Sequence, residues 1–279
     1  LCNANNFPVI FIDPDTPYAD IIKTTMELIL ADKSETIFEM KLEKILEYEA
    51  SKDLVISVAN EIIKNFKAYY AAFYIKLDNF DTTRKQILIS NIKNIRDIEP
   101  LIYKNGIFLL VTFDKISSLD MYYSQILPVF SNFVPGHHVG ISNVFTEVEY
   151  FNDCLKQAVL AHEVSQILDS EKVYYKDANV YKILHPLKNS KVLKDFYTDI
   201  IDSLIGAEGS SDKYELINTI EAYLNCDGDF KKAAAVINQH ENTVRYRISK
   251  AKRLLNLEND NFKFIEQVSL ALKIRNLLK

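Results

Sequence analysis

The stretch "PLIYKNGIFLLVTF", residues 100 to 113, sets an Asn-Gly pair between two apolar runs. Tight hairpin turns of the favoured twist need positive φ at their central residues, and Asn and Gly tolerate it best, so Asn105 and Gly106 predict a β-hairpin turn. A hairpin commits this part of the chain to antiparallel pairing, and its neighbours must supply the remaining strands and the helices that cover them.

The neighbours carry those signals. "YYAAFYIKL", from Tyr70, is short, aromatic and β-branched, which predicts a strand ending at Asp78. A helix is expected near Thr82 to Ile95, and another around Ser118 to Phe133 that Pro128 would end or kink. A strand follows at His138 to Ser142. Thr146 and Glu149 have the spacing of a capping box, in which each residue satisfies a free amide of the other, so a helix should run from there to about Leu168. "KVYYK" closes the set as a strand. The order strand, helix, hairpin, helix, strand, helix, strand defines an α+β domain of ferredoxin-like type.

Upstream, no Gly or Pro interrupts the chain between Pro17 and Pro100. Ile22, Met26 and Ile29, then Phe38, Leu42 and Ile45, recur at helical spacing across residues 18 to 49, as one long helix or two. That helix either packs on its own domain or serves as a dimerising connector. A second, Lys52 to Phe66, is expected to bury Leu54, Val58, Ile62 and Phe66. Asp13 and Asp15 in "FIDPDTP" read as turn residues after a short apolar strand, the end of an upstream sensor domain, and the start without Met reads as a fragment.

After "HPLKNS", residues 185 to 190, every segment reads as helix: Val192 to Ile205, Tyr214 to Asn225, Phe230 to Asn238, Asn242 to Leu255 and Phe262 to Leu278. The expected organisation is therefore residues 1–50 as strand and connector, 51–185 as the α+β domain and 190–279 as a helical domain, hinged near Pro186. No apolar run approaches the roughly 18 to 20 residues needed to span a bilayer, so no membrane association is expected. Cys2, Cys154 and Cys226 lack the short spacings of zinc or thiol-exchange motifs, which fits a reducing cytoplasm. A metal held by a Cys with His137, His138 or His162 is the less favoured reading, and no cofactor is expected.

The net charge of −5 conceals an asymmetry: residues 212–279 hold 12 Lys and Arg against 9 Asp and Glu, or +3, and the rest carries −8. Arg245, Arg247, Lys250, Lys252 and Arg253 fall within residues 242–253, which contain no acid. Asp229 is placed to cap the helix beginning "FKKAAAVI", "NQHE" makes a turn, and Asn242 is a favoured cap for the next helix. Two short helices across a tight turn are the helix-turn-helix plan, here at 230–255.

On a wheel of 100° per residue from Val244 at zero, Ile248, Ala251 and Leu255 join Val244 in one stripe expected to be buried. Asn242, Tyr246, Ser249, Lys250 and Arg253 centre on the opposite face, flanked by Thr243, Arg245 and Arg247. Asn242, Thr243 and Tyr246 are candidates to touch base edges. Arg245, Arg247, Lys250 and Arg253 are candidates to hold phosphates, and either Arg near the helix start could instead reach a guanine.

"FKKAAAVINQHENTVRYRISKAKRLLNL" followed by "IEQVSLALKI" resembles the C-terminal helix-turn-helix of PucR/CdaR-type bacterial transcription regulators over residues 214–278. Their Asn-Thr-hydrophobic-Arg-Tyr-Arg run is matched by Asn242 to Arg247, and their preceding His by His240. Glu241 stands where the family has a basic residue and Gln239 where it has an apolar one; Glu241 suits the helix dipole but would repel a nearby phosphate. "HHVGISNVFTEVEYFNDCLKQAVLAHEVSQIL" is similar to part of the GGDEF-like domain these regulators often carry. A working diguanylate cyclase has Gly-Gly-Asp-Glu-Phe at the hairpin, whereas this chain has Lys104, Asn105, Gly106, Ile107 and Phe108, so the resemblance implies a degenerate domain without carboxylates for Mg²⁺.

The expected function is DNA-binding transcription regulation by a non-enzymatic, cytoplasmic homodimer, with double-stranded DNA as partner and an effector that the resemblance does not name. The alternatives are a nucleotide-binding degenerate cyclase and an adaptor whose helix-turn-helix docks protein.

Overall fold

A computed structural model describes residues 13, 17–47, 49–77, 82–115, 119–133, 136–205 and 210–278, without the side chains of 28–36, 47, 82, 132, 133 and 210–214. The strand expected before Asp13 lies outside the described residues. Two compact units emerge: residues 1–135 with 143–156, and residues 136–142 with 157–279.

The first unit opens with α1 (Tyr18–Glu47), one continuous helix instead of two. Leu42 and Ile45 are fully buried, but Ile22 and Met26 stand exposed. Ser51 caps α2 (Lys52–Ile62), its hydroxyl accepting the Leu54 amide at 3.4 Å. The helix is shorter than the expected span to Phe66, and it buries Val55, Val58 and Ala59 while Leu54, Ile62 and Phe66 are only half-buried.

β1 (Tyr69–Lys76), α3 (Thr82–Lys93), β2 (Ile98–Tyr103), β3 (Gly106–Phe113) and α4 (Leu119–Phe133) follow in the expected order. β3 lies between β1 and β2 in antiparallel ladders, with Tyr69 opposite Phe113 and Tyr103 opposite Gly106. Paired on both edges, β3 buries every side chain. Pro100 sits in β2, at the edge of the sheet, where a missing amide costs no ladder bond. Pro128 does not end α4, which continues to Phe133.

The hairpin is present, but its turn is shifted by one residue: Lys104 and Asn105 form the loop, and Lys104 takes the positive φ, 50°. Gly106 is the first residue of β3. A Cβ there would meet the outer end of the Tyr74 ring from β1, which would have to move aside, so Gly106 serves a close approach instead of a turn angle.

The capping box is also overturned. Residues 148–150 form a 3₁₀ turn that no side chain caps, and the Glu149 carboxylate accepts from Lys52 Nζ at 3.0 Å. That hydrogen bond, with the Lys52 charge, holds the Glu149 carboxyl below its usual range. Nearby, Tyr70 exchanges two 2.9 Å backbone hydrogen bonds with Phe145 and donates its hydroxyl to the Glu147 carbonyl at 2.8 Å. Burial raises the Tyr70 pKa strongly, which keeps it a donor.

In the second unit β4 (Val139–Ile141) pairs in parallel with β5 (Lys172–Tyr174). Between them in sequence runs α5 (Phe151–Ile167), through which the division of the two units passes. A Cβ on Gly140 would strike the backbone of Ala158 and His162, so that glycine lets α5 lie directly on β4. His138 and His162 direct Nδ1 at the carbonyls of Ser170 and His138, at 2.8 and 3.0 Å. A carbonyl only accepts, so each Nδ1 carries the proton. Among the described residues, no group of three His, Cys, Asp or Glu is placed to hold a metal ion.

The helices α6 (Tyr181–Leu184), α7 (Lys191–Ile205), α8 (Ser210–Asn225), α9 (Phe230–Val236), α10 (Glu241–Leu254) and α11 (Asn261–Leu278) complete the unit. Their core gathers Ile201 and Leu204 from α7, Ile220 and Tyr223 from α8, Ala233 from α9, Val244 and Ile248 from α10 and Phe264 from α11. Each large side chain buried this way contributes about 1.5 to 3 kcal/mol of transfer free energy. Ile274 and Leu277, at the far end of α11, join a second cluster with Val164 of α5, Val173 of β5 and Tyr181 of α6. No described helix is long and apolar enough to cross a membrane.

Candidate nucleic-acid interface

α9 starts where Asp229 stops the chain from continuing extended: its carboxylate accepts from the amides of Lys231 and Lys232 at 2.9 and 3.0 Å. Those amide bonds and the adjacent lysine charges hold its carboxyl below the ordinary Asp range. The helix ends with Asn238 in the left-handed region, φ 52°, and the Gln239 amide returns to the Ala234 carbonyl at 2.9 Å. Ala233 and Ala234 are buried, and their small side chains let α10 cross α9 closely.

α10 begins one residue before the expected Asn242. His240 is its cap, with Nδ1 accepting the Asn242 amide at 3.2 Å, so the neutral ring is protonated on Nε2. Glu241 therefore occupies the first turn, where the helix dipole favours an acid. At the other end Asn256, φ 56°, repeats the left-handed ending, and the Leu257 amide reaches the Lys252 carbonyl at 2.8 Å. Val244, Ile248 and Ala251 are buried as the wheel requires. Leu255, the fourth stripe residue, caps the helix end and is half-buried against the same cluster.

The candidate residues divide by exposure. Asn242, Tyr246, Ser249 and Arg253 face solvent, with Tyr246 61% exposed. Thr243 and Lys250 are half-buried at the margin. Arg245, 54% exposed at its side chain, donates from Nε and Nη2 to Glu241 at 2.9 and 2.6 Å and lies 4.3 Å from the Phe230 ring centroid. Arg247 is 19% exposed and turned toward α8, paired with Glu215. α10 thus presents a polar strip, with one arginine braced along its edge and a second drawn into a helix contact. Sequence reasoning missed Glu215, Thr219 and Phe230 as partners, since the first two lie 32 and 28 residues from Arg247 and nothing in local spacing announces them.

Two short helices, a four-residue turn and an exposed polar face on the second helix are the geometry of a helix-turn-helix. Residues 216–274 match the PucR C-terminal helix-turn-helix domain. The chain is 28% identical over 167 residues to the purine catabolism regulatory protein of Bacillus subtilis (strain 168), an alignment covering 58% of this chain and 30% of that protein. It therefore spans less than a third of that relative. A solved structure of a regulator of polyketide synthase expression from Bifidobacterium adolescentis aligns with 86% of this chain and 97% of its own, at 16% identity and a TM-score of 0.43.

Proposed function

We propose that this chain is a DNA-binding transcription regulator in which α10 enters the major groove of duplex DNA. The coincidence of the family match over 216–274 with the exposed strip Asn242, Tyr246, Ser249 and Arg253 carries this reading. Asn242, Thr243 and Tyr246 meet base edges near the helix start. Arg245, Lys250 and Arg253 supply positive charge to the phosphates on either side. Arg245 exchanges Glu241 for a phosphate or a guanine when DNA arrives. One such helix reads few base pairs, so the regulator acts as a homodimer on paired half-sites.

The strand and helix order of residues 69–174 supports a GGDEF-like domain that relays a signal or aids assembly. Lys104 to Phe108 contain no acid, so the hairpin itself supplies no carboxylate for Mg²⁺, and we assign the domain no cyclase activity. Its effector is a small molecule, and the regulator works in the cytoplasm, where its DNA is.

Fluorescence anisotropy on duplex fragments flanking its own coding region, at several salt concentrations, tests the proposal. Fragment-selective binding that weakens steeply with salt and is lost in an Arg245→Ala/Arg253→Ala double variant is the expected result. Equal binding by the double variant would end it. Glu241, set among the cations of α10, favours a second reading in which the helix docks a protein; salt-insensitive partner binding without DNA affinity would select that one.

A further inference from the structure

Arg247 stands apart from the other cations of α10. On the helical wheel it lies about 60° from the buried stripe and roughly 100° or more from Tyr246 and Arg253. Its guanidinium is turned sideways onto α8, where Nη2 pairs with the Glu215 carboxylate and Nη1 donates to Thr219 Oγ1 at 3.2 Å. Thr219 is fully buried and spends its only hydroxyl proton on the Glu215 carbonyl at 2.6 Å, which leaves its oxygen free to accept from Arg247. Glu215 and Thr219, one turn apart on α8, thus form a two-point acceptor for a planar, forked donor.

Such a bond does what the apolar contact beneath it cannot. Val244 and Ile248 are buried in the shared core, but dispersion and hydrophobic burial are weakly directional and tolerate a small rotation of α10 about its own axis. A two-point guanidinium contact at the helix flank does not. A rotation of roughly 20 to 30° would keep the stripe buried yet change which edge of the strip faces outward, since neighbouring positions are only about 100° apart.

We infer that Arg247 is a positioning residue: with Glu215 and Thr219 it fixes the rotation of α10 on α8 and does not itself hold DNA. This rests on the reading of α10 as the DNA-contacting helix. The second arginine of the Arg-Tyr-Arg run is then structural, and the phosphate-facing charge comes from Arg245, Lys250 and Arg253.

A charge exchange separates this role from direct contact. Arg247→Glu should weaken binding to the selected duplex about ten-fold or more, and adding Glu215→Arg should return affinity to within about three-fold of wild type. If Arg247 held a phosphate, a glutamate there would repel it whatever stood at 215, and the double variant would stay weak. Because an arginine introduced at position 215 could itself touch DNA, salt dependence is the second readout. Arg247→Gln should leave the slope of log affinity against log salt unchanged, whereas Arg253→Gln should reduce it by about one. A reduced slope in Arg247→Gln would overturn the inference. If wild type binds no duplex, the parent reading fails instead. The clamp is then judged from unfolding midpoints, where Arg247→Glu must lower and the double variant restore the midpoint; additive losses would overturn it.

Discussion

The α9–α10 pair and the β2–β3 hairpin are the two places where this chain could have carried chemistry, and they differ in how many faces each can offer. β3 is paired on both edges and buried along its whole length, so the hairpin reaches solvent only at the turn, Lys104 and Asn105, and along its edge strand β2, where Glu99 is exposed. There Lys104 pairs with Glu43 of α1 at 3.1 Å and lies over the Tyr103 ring, which commits the tip to local structure. α10 buries a stripe of three residues and leaves the opposite side to Asn242, Tyr246, Ser249 and Arg253. A half-buried helix holds its place and still presents functional groups. A central strand with both faces covered contributes stability alone.

Substitutions sharpen that contrast. The largest expected effect is Phe108→Ala in β3, fully buried beside Tyr74 and Tyr103, which should cost about 3 to 5 kcal/mol in denaturant unfolding. Protein that stays folded should keep its DNA affinity, and a matching loss of affinity would break the distinction between the regions. Ile248→Ala in α10 should cost about 2 to 4 kcal/mol and also weaken DNA binding, because the stripe it belongs to seats the polar strip.

Glu163 on α5 belongs to neither region and sets a pH dependence. Burial pushes its carboxyl up, but His185 at 2.9 Å and Lys188 at 3.1 Å outweigh that and bring it down to about 2. A carboxyl lower in the folded than the unfolded state stabilises above the unfolded value, here 4.5, and loses that contribution as pH falls toward 2. Glu163→Gln should flatten the fall of stability between pH 5 and pH 3 by up to about 2 kcal/mol, read from denaturant midpoints. An unaltered pH profile would show that the cluster is not linked to folding.

The smallest effect on stability should come from Arg253→Gln: within about 0.5 kcal/mol, since its side chain is exposed. On the proposed reading its effect falls on DNA binding, where the salt slope should fall by about one. An unchanged slope would remove Arg253 from the interface.

Legibility followed the range of the forces involved. The C-terminal helices were readable within a few residues because period, caps and turn residues act over one or two turns; Asp229 caps α9 as expected. The capping box at Thr146 and Glu149 failed: the turn begins at Val148, with Glu147 in the cap position, and Glu149 pairs with Lys52, 97 residues away in sequence, a partner local spacing cannot announce. The Asn-Gly turn slipped by one residue: Lys104 takes the positive φ, and Gly106 lies inside β3 under the outer end of the Tyr74 ring, a contact that local spacing does not announce. In the candidate interface, the wheel separated the buried from the exposed residues of α10. It could not tell a cation facing solvent from one facing α8, because Glu215 belongs to a different helix.

The endings of α9 and α10 depend on backbone carbonyls answering backbone amides, with Asn238 and Asn256 supplying the left-handed step. Neither closure uses a side chain from the exposed strip. Asn242, Tyr246 and Ser249 can therefore be exchanged without loosening the joints that hold their helix, so the chemistry of that face can drift, or be redesigned, on a frame that stays the same.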